Sequence, residues 1–93
     1  MSETVDELTI NYTEGDLLKV KELDKIVLTK GAWATLIYRY QDWVPAKEEY
    51  GPEKYTIRRY QKRNGRYNPA SKFNISSADQ ARKIIAALES WID

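Results

Sequence analysis

Residues 54–76 read KYTIRRYQKRNGRYNPASKFNIS, and the register of this stretch decides how the rest of the chain is laid out. In an extended chain Lys54, Thr56, Arg58, Tyr60 and Lys62 point to one side, while Tyr55, Ile57, Arg59 and Gln61 point to the other. The first register is polar, basic and aromatic, the character of a ligand-binding face. Asn64-Gly65 is a two-residue hairpin signal, because both residues tolerate positive φ. Pro69 is expected to end the returning segment, and KFNIS then makes a separate short strand. Beyond it Ser77 and Gln80 form a capping box, with Ser76 as a rival cap and Asp79 in the first turn. Ala81, Ile84, Ile85, Leu88 and Ile92 recur at helical spacing with Trp91 beside them.

Towards the N-terminus, KIVLTK (25–30) is short and β-branched, and Gly31 marks a turn. WATLIYRYQDW (33–43) alternates, with Trp33, Thr35, Ile37, Arg39, Gln41 and Trp43 on one side and Ala34, Leu36, Tyr38 and Tyr40 on the other. Pro45 and Gly51-Pro52 bracket a polar loop. Residues 1–22 are read as an acidic, flexible segment with one short strand near Leu17–Leu23, and residues 23–93 as the folded domain. The order is ββββα, an α+β fold with four antiparallel strands and one C-terminal helix. One helix covers one face of such a sheet, so the other is expected to meet solvent, a ligand or a second subunit. Trp33 and Ile37 are expected to pack under the helix. Trp91 and Ile92 widen its apolar stripe beyond one sheet's need.

Ninety-three residues with 42% apolar and 12% aromatic content suit a single small domain. Cysteine and histidine are absent, which removes disulfides, zinc sites built on them and the commonest general base. There is no apolar run long enough for a membrane helix, and MSETVDELT is too acidic for a signal or transit peptide. An intracellular, soluble protein without membrane contact is expected, with the sequons at Asn11 and Asn74 unused. Enzyme activity is not expected, nor is a cofactor or metal. The chain lacks a phosphate-binding glycine loop, metal-ligand spacing and a nucleophile elbow; Glu48-Glu49 is a solvated pair, and a tyrosine nucleophile would have no base.

Charge is distributed unevenly. Residues 1–24 carry seven acids against two lysines, whereas residues 54–72 carry seven bases and no acid. Bases interleaved with tyrosines point to nucleic acid, with cations on phosphates and rings under unpaired bases. The plainer explanation is a cationic edge strand that resists aggregation. It accounts for lysine better than for arginine and tyrosine. Arg39, Arg58, Lys62, Arg63, Arg66 and Lys72 are therefore the candidate phosphate ligands, and Trp43, Tyr60 and Tyr67 the candidate stacking rings. Ile84, Ile85, Leu88, Trp91 and Ile92 are the candidate homodimer interface. Single-stranded DNA is the expected partner, with RNA or an acidic protein as alternatives.

The run YTIRRYQKRNGRYNPASKFNIS followed by a capped helix resembles the single-stranded-DNA-binding domain of the transcriptional positive cofactor four family. The matching positions are Ile57, Arg58, Tyr60, Gly65, Pro69, Lys72, Ile75 and Ser76, within a resemblance that covers about residues 25–92. The resemblance implies a curved four-stranded sheet, dimerised largely through its helices, that binds single strands with little sequence preference in transcription, replication or repair. It places Arg58 and Lys72 at DNA-contacting positions, Arg39 more loosely, and Trp43 at an aromatic position near a strand end. The chain departs from the family at Gln61, where an aromatic is expected, in its longer loop 44–53, and in its acidic N-terminal segment. Tyr60 or Tyr67 would then replace the missing ring, and the acidic segment would compete with DNA for the basic face.

Overall fold

The structure, a computed structural model, describes residues 4–92. A 3-10 turn (Val5–Glu7) leads into strands β1 (Tyr12–Glu14), β2 (Leu17–Thr29), β3 (Trp33–Val44), β4 (Glu49–Tyr50), β5 (Lys54–Arg63) and β6 (Arg66–Ile75), then helix α1 (Ala78–Trp91). All pairings are antiparallel in the spatial order β1-β2-β3-β5-β6, with β4 beside the end of β3. The architecture is thus a curled antiparallel sheet followed by one helix, with more strands than the four expected.

The additional strands are β1, in the segment read as flexible, and β4, in the loop 44–53, while β2 and β6 run on where the chain breaks its own alternation. Glu22 pairs with Tyr40 and Asp24 with Arg39, so Leu23 is an extra residue; Leu28 is another, between Val27 and Thr29. These bulges fuse the two short segments expected in this region into one 13-residue strand. In β6, Arg59 faces Ser71 while Tyr60 faces Pro69, which leaves Ala70 as the extra residue. Pro69 therefore does not end the strand. It sits in an edge strand, where a missing N–H breaks no ladder. The turn between β5 and β6 forms as the sequence requires, with Asn64 at φ 52° and Gly65 at φ 78°. At the helix start Ser77 Oγ accepts from the Gln80 amide at 3.1 Å, and Gln80 Oε1 accepts from the Ser76 amide at 2.8 Å. The box thus uses both candidate caps.

The core lies on one face of the sheet, the inner face. Ala34, Leu36, Tyr38, Tyr40, Tyr60 and Tyr67 are buried there together with Val5, Leu8 and Ile10. Residues 5–10 are therefore packed rather than free: Val5, Leu8 and Ile10 close the inner face. Lys25 Nζ fixes them by donating to the carbonyls of Val5 (3.1 Å), Asp6 (3.0 Å) and Leu8 (2.8 Å). Glu22 adds a second tie, accepting from the Thr9 hydroxyl at 2.7 Å and the Ile10 amide at 3.3 Å. These bonds tie residues 5–10 to β2.

The opposite, outer face carries α1. The molecule measures 41 × 39 × 17 Å, thin enough for a single packed layer beside the sheet. Accordingly α1 has no buried residue, and an open apolar groove of ≈ 490 Å³ separates it from Ile37, Tyr55, Ile57 and Ile75. Ile37 lies against this groove as expected, whereas Trp33 is at the far end of β3 and is 43% exposed. Among the described residues, no helix is long and apolar enough to cross a membrane.

Candidate nucleic-acid interface

Pairing register divides the seven bases of residues 54–72 between the two faces. Lys54, Arg58, Lys62 and Lys72 share the inner-face register; Arg59, Arg63 and Arg66 lie on the outer face. Lys54 is neutralised by Asp42 at 3.0 Å, and that hydrogen bond raises the lysine pKa. The other six have no ion-pair partner among the described residues. Two pairs of like charge stand directly opposite each other in the ladder, Arg58 with Lys72 and Arg63 with Arg66. Such pairs oppose strand association.

The Ala70 bulge brings the two sets together at the β6 edge. A groove of ≈ 320 Å³ is lined by Arg58, Arg59, Ser71 and Lys72, and one of ≈ 850 Å³ by Gln61, Arg63, Arg66 and Asn68. Both grooves are bordered by Pro69 and Ala70, so cations from both faces flank one path along the edge strand. From Arg66 to Lys72 that path is about 20 Å of extended chain.

Arg58 is the best positioned cation on this path. Its Nε donates to Thr56 Oγ1 at 3.2 Å, and the Thr56 hydroxyl in turn donates to Asn74 Oδ1 at 2.8 Å. Thr56 is fully buried, which fixes this relay, and Arg58 stands opposite Lys72 in the ladder. Lys62 spreads over the Tyr67 ring, 5.4 Å from its centroid, with its charge still exposed.

The expected rings are placed differently. Tyr60 and Tyr67 are 5% and 4% exposed, so neither stacks a base. Their interleaving with arginine pointed to exposure. They are buried because each hydroxyl finds a partner inside: Tyr60 shares a 3.2 Å hydrogen bond with Tyr38, and Tyr67 donates to the Gly31 carbonyl at 2.8 Å. Burial, followed by the Tyr60 contact, raises the Tyr38 pKa far above the ordinary phenol value and keeps Tyr38 neutral. Trp43 is half-buried against Tyr50, edge to face at 5.2 Å, at the end of β3 remote from the unpaired cations. Arg39 also lies apart, held between Asp24 at 4.0 Å and Glu53 at 3.5 Å. The exposed ring nearest the unpaired arginines is Trp33, with the Arg59 guanidinium 4.7 Å from its centroid. Neither Trp33 nor Arg59 was expected to belong to the site. Only the β3–β5 register, which sets Thr35 opposite Arg59 and Trp33 opposite Gln61, brings them together.

Comparison with family models, with curated proteins and with solved structures finds no match to this chain.

Proposed function

We propose that this protein binds single-stranded nucleic acid through the cations of the β5–β6 hairpin, with little preference for sequence. One observation carries the reading: five cations with no ion-pair partner among the described residues, including two like-charged cross-strand pairs, border one path along the β6 edge. Opposed like charges weaken a ladder, and a polyphosphate backbone converts that cost into attraction. These cations stand on a sheet surface, while α1 lies over the apolar part of the outer face. A flexible strand that follows the sheet therefore fits better than a duplex with a helix in its groove. The resemblance through Ile57, Arg58, Tyr60 and Lys72 supports the same reading.

Titration with fluorescent oligo-dT at several salt concentrations tests it. Engagement of about four to six phosphates predicts a slope of log affinity against log salt of about −3 to −4. An equal-length duplex is expected to bind more weakly, and oligo-U measured beside oligo-dT reports any ribose preference. A flat salt response would remove the phosphate role. Equal affinity for a polyglutamate chain would favour an acidic protein as the partner.

A homodimer completes the proposal. Ile26, Ile37, Ile57 and Phe73 form an unbroken apolar row across β2, β3, β5 and β6, and its two ends, Ile26 and Phe73, are 58% and 54% exposed. On α1, Ile84 is half-buried while Ile85, Leu88 and Trp91 are exposed, Trp91 by 80%, as is Ile92 just past the helix end. A second copy laid across this face would cover the row and the helix stripe together. Sedimentation should find a dimer that Leu88→Glu with Trp91→Glu converts to a folded monomer. A wild-type monomer at high concentration would contradict this part of the reading.

A further inference from the structure

We propose that the outer-face row Trp33, Gln61 and Asn68 is a nucleobase subsite that takes the Watson–Crick edge of an unpaired base. This rests on the nucleic-acid reading above and supplies its preference for single strands. Trp33 pairs with Gln61 across β3 and β5, and Gln61 pairs with Asn68 across β5 and β6. The three side chains therefore stand in a line on strands about 4.8 Å apart.

The two amides are oriented by their neighbours. Gln61 Oε1 accepts from Arg63 Nε at 3.1 Å, so the Gln61 amide nitrogen is left with no hydrogen-bond partner among the described residues. Asn68 Nδ2 donates to the Arg66 carbonyl at 3.3 Å, which leaves its Oδ1 open in the same way. One open donor and one open acceptor thus lie side by side on the ≈ 850 Å³ groove. Each of the four bases carries an acceptor next to a donor on its Watson–Crick edge, so this pair is complementary to all of them. In a duplex those atoms are already paired and out of reach.

The surroundings complete the subsite. Trp33 is 43% exposed with the Arg59 guanidinium 4.7 Å from its ring centroid, and an exposed indole beside a cation is a surface on which unpaired bases stack. Arg63 and Arg66, opposite each other beside the amides, take the flanking phosphates. The departure at Gln61 is thus no missing ring: the stacking surface is Trp33 on the neighbouring strand, and Gln61 reads the edge.

The test compares oligo-dT with an abasic strand of equal length at one salt concentration, a pair that matches phosphates and differs in bases. The wild-type chain is expected to favour oligo-dT by about tenfold or more, given the usual worth of one base stack. Gln61→Met with Asn68→Ala should bring that ratio most of the way towards one, and adding Trp33→Ala should abolish it. The salt slope should stay at its wild-type value throughout, because no cation is lost. Thermal unfolding of the variants checks that the fold is retained, and Gln61→Met alone preserves side-chain length while deleting the open donor. A wild-type chain that binds both strands equally, or variants that keep the wild-type ratio, overturns the subsite and leaves the phosphate reading standing. Failure of the wild-type chain to bind either strand at low salt overturns the phosphate reading itself.

Discussion

Replacing Arg58, Arg63, Arg66 and Lys72 together by alanine is expected to weaken oligo-dT binding by at least about a hundredfold at low salt. The salt slope should become shallower by about 3, because four phosphate contacts at roughly 0.7 each are lost. The same variant should be no less stable than the wild type. Arg58 faces Lys72 and Arg63 faces Arg66, so the substitution deletes two repulsive pairs and no ion pair. Only the Thr56 and Gln61 hydrogen bonds to arginine are given up. Loss of affinity with an unchanged or raised midpoint is the signature of residues kept for a ligand. A midpoint that falls while affinity holds would assign the four to the fold instead.

The second large effect concerns the N-terminal segment. Deleting residues 1–10 strips Val5, Leu8 and Ile10 from the inner face and opens the sheet that bears Leu36 and Tyr38, now 0% and 1% exposed. Burial of three aliphatic side chains contributes about 5–9 kcal/mol before the entropy of ordering the segment is subtracted. That is comparable to the whole stability of a small domain, about 5–15 kcal/mol. The truncated chain should therefore lose cooperative thermal unfolding by circular dichroism. Leu8→Ala, a milder change, should cost about 2–4 kcal/mol. A detachable acidic tail would behave in the opposite way, with an unchanged midpoint and tighter oligonucleotide binding at low salt.

The contrast between segment and tail marks where local sequence stops being informative. β3 and β5 were legible because alternation runs unbroken from Trp33 to Trp43 and from Lys54 to Lys62, and the Asn64-Gly65 turn and Ser77 cap are local chemistry. β2 and β6 were only partly legible. Leu23, Leu28 and Ala70 each reset the parity of their strand, and a period-2 pattern with one residue inserted looks like two short strands or a stop. Val5, Leu8 and Ile10 are too few to show a period, and their burial depends on a face built by residues far along the chain. The site was legible as charge and not as geometry. The bases of residues 54–72 are unneutralised, Lys54 apart, but Tyr60 and Tyr67 turned inward to hydroxyl partners that no short window contains. Trp33 came to the site by pairing across the loop 44–53, which also forms β4.

The sheet order β1-β2-β3-β5-β6 repeats the order of the chain, and this has a kinetic consequence. Each ladder joins segments separated by a short connection, so every pairing closes a small loop at low entropic cost. Topologies rich in such local closures reach the native state fast for their class, because no early step waits on a distant partner. Hairpins can therefore zip one after another as the polypeptide leaves the ribosome. The Tyr67 to Gly31 bond, spanning 36 positions, belongs to the late steps.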